Sequence, residues 1–173
     1  MKPIICLVLF ALCLASASHG QKKSVPNSSL KETVTWMENF TWAHGIRTLN
    51  TGQVRHDAIH SESECVVVDE ISVSSVKNEA QPSVTIVTLS LSDLAPNAVR
   101  LEIDKSEESY AVEFERSDAS AKIEMQTETS DGKKQTYWIA QEQMFFDSED
   151  SAKRFSRALI RAINLCGGKP APY

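Results

Sequence analysis

Apolar and polar positions along this chain change period twice. Leu30, Val34, Met37 and Phe40 or Thr41 recur every three or four residues, with Lys31, Glu32 and Glu38 off that stripe, which predicts an amphipathic helix from Leu30 to about Phe40. Ser29 and Glu32 are spaced as a capping box at its start. From Trp42 to Glu64 no period is sustained, and the stretch reads as a loop. From Cys65 onward the period is two. Cys65-Val66-Val67-Val68 is a β-branched run that Ile71, Val73 and Val76 either extend or follow with a second strand, and Ser83 to Leu91 is the clearest strand in the chain. After a turn at Asp93 to Asn97, three segments alternate apolar and largely charged positions: Val99-Leu101-Ile103, Tyr110-Val112-Phe114 and Ala121-Ile123-Met125. That alternation is the mark of antiparallel strands with one wet face. Asp131-Gly132 predicts a hairpin into a return strand around Tyr137-Trp138-Ile139, and Gln143 to Phe146 reads as a last short strand.

The second change of period opens a helix within Phe145 to Lys169. Ala152, Phe155, Leu159, Ala162 and Cys166 form one stripe, flanked by Ala158 and Ile163. Asp147 or Ser148 can cap its start, and Glu149 and Asp150 suit the positive end of the helix dipole. Gly167 is placed to end it, and Pro170 follows. Burying Phe155 and Leu159 gives roughly 1.5–3 kcal/mol each, so the stripe must lie on apolar surface, and the preceding sheet is the surface on offer. The pattern therefore predicts an α+β fold: a bent antiparallel sheet of six to seven strands closed by a C-terminal α-helix, with a short N-terminal helix.

Composition adds an address. Met1-Lys2, the uncharged apolar run Ile4 to Leu14 and Ala15-Ser16-Ala17 follow the order of a secretory leader, with cleavage expected near residues 17–20. That run is shorter than the ~20 residues a membrane-spanning helix needs. The expected division is a signal peptide over 1–20, a flexible lead over 21–29, helix and loop over 30–64, the sheet-and-helix domain over 65–168 and a tail over 169–173. Of the 18 basic side chains Lys2 leaves with the leader, so 17 face 23 acidic ones, a net of −6. Nucleic acid and anionic membranes, which are bound through basic patches, are disfavoured as partners. Cys6 and Cys13 also leave with the leader. An even pair in an exported chain, Cys65 and Cys166, predicts a disulfide closing a loop of about 100 residues, worth roughly 4–5 kcal/mol by loop-closure entropy. The Asn27 and Asn39 sequons matter only in a eukaryotic secretory pathway.

Ser90-Leu91-Ser92-Asp93-Leu94-Ala95-Pro96, followed much later by Leu165-Cys166-Gly167-Gly168-Lys169, resembles a group of exported bacterial proteins of uncharacterised function. The order of elements between Cys65 and Gly168 resembles the pleckstrin-homology-like (PH-like) fold, in which a helix plugs one open end of a bent sheet. The resemblance implies a periplasmic or extracellular PH-like domain and no activity. In phosphoinositide-binding relatives of that fold the ligand sits on a basic cluster around the first hairpin. Here the matching stretch, Glu70 to Ser83, holds only Lys77 beside Asp69, Glu70 and Glu79, so phosphoinositide binding is not expected.

Few residues point to chemistry. His56 and His60, four apart with Asp57, Glu62 and Glu64 near in sequence, would share a face on a helix and offer two ligands to a divalent metal. No third ligand is fixed by spacing, and solvated loop histidines are the plainer reading. Lys153, Arg154, Arg157 and Arg161 line the polar side of the second helix, either as a docking face for an acidic partner or as a solvated face with Glu149–Lys153 and Asp150–Arg154 pairs. Glu102, Asp104, Glu107, Glu108, Glu113 and Glu115 read as the wet side of a sheet. No nucleophile elbow, zinc-protease helix, phosphate loop or Cys-x-x-Cys pair is present, and no cofactor is expected. The expected role is a non-catalytic exported binding module for a peptide added as a strand or for a small apolar ligand. A metal-assisted hydrolase using His56 and His60, and a structural envelope component, are the alternatives.

Overall fold

The structure, a computed structural model, describes residues 29–75, 83–128 and 132–172. The leader, the polar lead with Asn27, Val76, the Lys77–Pro82 break and Asp131 lie outside the described residues. Helix α1 (Leu30–His44) starts where the capping box places it. The Glu32 amide donates to Ser29 Oγ at 3.2 Å, and the Ser29 amide donates to the Glu32 carboxylate at 2.7 Å. It runs one turn beyond Phe40, because Thr41 continues the buried stripe and its hydroxyl donates to the Met37 carbonyl at 3.0 Å. Gly45 ends it against the Asp57 carbonyl, only 2.2 Å from where a Cβ would stand.

Among the described residues nine strands follow: β1 (Ile46–Thr48), β2 (Gln53–Ser63), β3 (Val66–Ser75), β4 (Ser83–Ser90), β5 (Arg100–Asp104), β6 (Ser109–Glu115), β7 (Ile123–Glu128), β8 (Lys134–Ile139) and β9 (Gln141–Phe146). They form a bent antiparallel sheet in the order β1-β2-β3-β4-β7-β8 and a second, three-stranded sheet in the order β5-β6-β9. The expected loop before Cys65 is corrected: residues 46–63 are mostly strand, and the sheet begins at Ile46. Val66–Ser75 is a single strand. β5 departs from the half-buried pattern, since all five of its residues are exposed. Ala140 alone separates β8 from β9, and its carbonyl accepts the Arg116 amide at 3.1 Å, so one run of chain turns the corner between sheets.

Helix α2 (Glu149–Leu165) closes the core. Ser148 caps it by accepting the Ser151 amide at 3.2 Å, and Gly167 at φ +79° allows the Gly168 amide to reach the Ile163 carbonyl at 2.9 Å. Phe155, Leu159, Ala162 and Ile163 are wholly buried with Val112, Phe114, Met144 and Phe146 of the smaller sheet and Leu91 and Leu94 of the turn after β4. The Phe146 and Phe155 rings lie 4.9 Å apart. Cys65, in the β2–β3 turn, is bonded to Cys166 at the end of α2, with Cα atoms 5.8 Å apart. No helix of the described residues is long and apolar enough to cross a membrane.

Candidate functional site

A sheet edge exposes unpaired amides and carbonyls, and an edge left bare is a template for another strand. Two edges here are sealed by side chains. Beyond the short β1, the outer edge of β2 faces α1. The Asp57 amide donates to the Gly45 carbonyl at 2.7 Å, the Ile59 amide to Thr41 Oγ1 at 2.9 Å and the Ser61 amide to the Glu38 carboxylate at 2.5 Å. The outer edge of β9 faces Arg55 and Asp57. Arg55 donates to the Gln143 carbonyl at 2.8 Å, and Asp57 accepts the Phe145 amide at 3.3 Å. An ion pair thus takes the place of a strand where the two sheets meet.

That seam holds the main cluster of buried charge. Arg55 pairs with Asp57 at 2.6 Å and with Glu142 at 3.5 Å. Its guanidinium carbon lies 4.8 Å from the centre of the Phe145 ring, and that of Arg47, its cross-strand neighbour, lies 4.5 Å from it. Asp69 of β3 lies fully buried, and neither of its carboxyl oxygens has a hydrogen-bond partner. Burial, then repulsion from Asp57 and Glu142, pushes its pKa well above the usual carboxylate range. Arg55 pulls the other way, and the Ala58 amide exerts only a weak pull, short of a hydrogen bond. Burial also raises Asp57 and Glu142, opposed by Arg55. Burial disfavours the Arg55 cation, but Asp57, by attraction and hydrogen bonding, together with Glu142 and Asp69 outweighs it and holds that pKa above its ordinary value. Three carboxyls face one guanidinium, and the upward push is strongest at Asp69.

Two long edges carry no seal. Among the described residues, neither β8 nor β5 has a strand or a side-chain acceptor set against its outer edge. On β8, Tyr137 is 44% and Trp138 58% exposed, on opposite faces of the strand. Lys122 sits over the Trp138 ring at 4.9 Å, and the Tyr137 hydroxyl donates to Gln135. On β5, Leu101 and Ile103 share the face that bears Val112 and are 37% and 36% exposed.

Other surface features are concave without convergent chemistry. A cleft of about 470 Å³ opens between β1 and the β5–β6 turn, lined by Ile46, Arg47, Glu107, Glu108, Tyr110 and Asp147. Arg47 reaches across it to Glu107 at 3.6 Å. Glu108 in that turn takes φ +49°, a left-handed conformation that glycine adopts without strain. A groove of about 610 Å³ lies between the first turns of α1 and the end of β2, with Leu30, Val34, Glu38 and Ser61 in its walls.

His56 and His60 stand on strand β2, in neither a loop nor a helix. They lie roughly 13 Å apart along it at the rise of an extended chain. His56 Nε2 contacts the Trp42 carbonyl at 3.2 Å, and His60 faces Glu70 at 3.8 Å. The structure does not bring them together, and no group of three or more His, Cys, Asp or Glu among the described residues is placed to hold a metal. On α2, Lys153 pairs with Glu149 at 2.5 Å as expected. Arg154 turns instead to α1, its guanidinium 5.0 Å from the Phe40 ring centre and 6.0 Å from that of Trp36. Arg157 is exposed, Arg161 is half-buried with its Nε enclosed, and so the four cations do not form one open stripe. Arg55, Asp57, Asp69 and Glu142 were not singled out by pattern, although an acid in phase with the apolar face of a strand marks each aspartate. No protein-family model, no curated protein and no solved structure matches this chain.

Proposed function

We propose that the chain is an exported, PH-like binding module that takes an extended polypeptide onto the free edge of β8 and performs no catalysis. The observation that carries this reading is the contrast between edges. The β2 and β9 edges are sealed by side chains, whereas among the described residues nothing covers β8, which is flanked on both faces by an exposed aromatic ring. Main-chain hydrogen bonds supply affinity in strand addition, and the flanking side chains supply selectivity. The interior favours the edge over an enclosed small ligand, because Phe114, Phe146, Phe155 and Leu159 fill the space between α2 and the sheets. The Cys65–Cys166 bond suits an oxidising compartment, in keeping with the leader-like first residues. The bent sheet closed by α2 supports the PH-like comparison.

The test is site-specific photo-crosslinking in the producing cell, with a crosslinking amino acid at Trp138 or, as a control, at Trp42, which is 71% exposed and far from β8 in sequence. Polypeptide adducts at position 138 and their absence at 42 are expected. No polypeptide adduct at 138 overturns the reading.

A further inference from the structure

We propose that the strand received by β8 is β5 of a second copy of this chain, so that the protein assembles head to tail. The inference rests on the reading of β8 as a strand acceptor and names its partner. β8 and β5 are the edge strands of different sheets, of six and five residues. Laid antiparallel with Tyr137 opposite Leu101 of the second copy, they match along their length. Lys134 meets Asp104, an opposite-charge pair, and Trp138 meets Arg100, a cation over an indole. Tyr137 lies against Leu101 and diagonal to Ile103, so the apolar side chains that each copy leaves half-exposed cover one another. Cross-strand pairs of these kinds stabilise a ladder, and like charges set opposite one another destabilise it. Arg100 pairs within its own copy with Glu115 at 2.9 Å and Glu113 at 3.8 Å, both on β6, and stays 55% exposed. Self-pairing has faults that the mixed ladder lacks. Centred β5 on β5 repeats the Arg100–Asp104 and Leu101–Ile103 pairs but sets Glu102 against Glu102, and centred β8 on β8 leaves Lys134 without an anion, whereas β8 on β5 sets no like charges opposite one another.

Because the two surfaces differ, the contact is heterologous and copies add head to tail, into a ring or a row. One five-residue ladder buries less than the roughly 800 Å² per partner of a standard stable interface, so assembly is concentration-dependent. Its charged pairs make it weaker in salt.

Sedimentation of the purified exported chain over a rising concentration series tests this. The average mass is expected to climb to about twice the monomer or more at high concentration, and to fall back in high salt. Ile103→Lys spoils β5 and spares β8, whereas Tyr137→Lys spoils β8 and spares β5. Each variant is expected to stay monomeric, with unchanged circular dichroism and melting, and the two mixed are expected to give a dimer and nothing larger. A wild-type chain that is monomeric throughout overturns the proposal, as does either variant associating as the wild type does, or a mixture that yields no dimer. If crosslinking at Trp138 captures a different polypeptide while the wild type remains monomeric, the self-assembly fails and the strand-acceptor reading stands.

Discussion

Asp57 accepts the Phe145 amide at 3.3 Å across 88 residues of sequence, while holding Arg55 at 2.6 Å. This single carboxylate satisfies both a bare strand edge and a buried cation. Asp57→Ala is therefore expected to cost about 3–5 kcal/mol, the range for removing one partner of a buried ion pair. Urea unfolding followed by tryptophan fluorescence measures it, and a cost below about 1 kcal/mol, the range of a surface pair, would show that the seam does not depend on this contact.

Asp69 gives the opposite sign. Its folded pKa is raised, so the folded state binds more protons than the unfolded one between the ordinary aspartate value of about 3.9 and the raised folded pKa. Stability contributed by the neutral acid is present below that value and is lost as pH rises toward the folded pKa. Asp57 and Glu142 are raised too and titrate in the same direction. Asp69→Asn keeps the shape and cannot ionise. Its melting temperature is expected to match the wild type near pH 4 and to exceed it by about 3 °C or more at pH 8. A wild-type advantage at pH 8 would refute the raised pKa of Asp69.

Glu108 occupies a left-handed position in the β5–β6 turn, where an L-residue costs about 1–2 kcal/mol and glycine does not. Glu108→Gly is expected to stabilise the fold by about 0.5–1 kcal/mol after its greater chain entropy is counted. Thermal melts at matched pH decide it, and destabilisation by the glycine would mean that the glutamate side chain holds the turn.

The Cys65–Cys166 bond closes a loop of 101 residues. Opening it with reductant, or with Cys65→Ser and Cys166→Ser together, is expected to cost about 4–5 kcal/mol by loop-closure entropy. Urea midpoints with and without reductant report it, and coincident midpoints would count against the estimate.

The two helices and the strands from Ser83 onward were legible because each keeps one uninterrupted period. α2 was especially so, since Phe155, Leu159 and Ala162 all face inward and Ser148 and Gly167 mark its ends. β2 was not legible, and β3 read as two runs, for one physical reason. Asp57 and Asp69 occupy inward positions that the period reserves for apolar residues, so Asp57 hides the run ending in Ile59 and Asp69 interrupts the one from Val67 to Ile71. The feature that obscured these strands is the seam itself. Its anchor on the other side, Glu142, lies 85 residues beyond Asp57, and local spacing carries no trace of that meeting. The bare edge of β8 was equally hidden, because which strand ends a sheet depends on long-range order.

The disulfide also decides how the molecule bears tension. Every element from β3 to α2 lies inside the covalent loop, whereas α1, β1 and β2 lie outside it. A pull on the two chain ends would run through the sulfur atoms and bypass everything between Cys65 and Cys166. Outside the loop, the segment before Cys65 can pay out about 120 Å of extended chain from Ser29 at roughly 3.4 Å per residue, and the short tail after Cys166 adds little. The enclosed strands, including both bare edges, would keep their shape while the N-terminal part unravels.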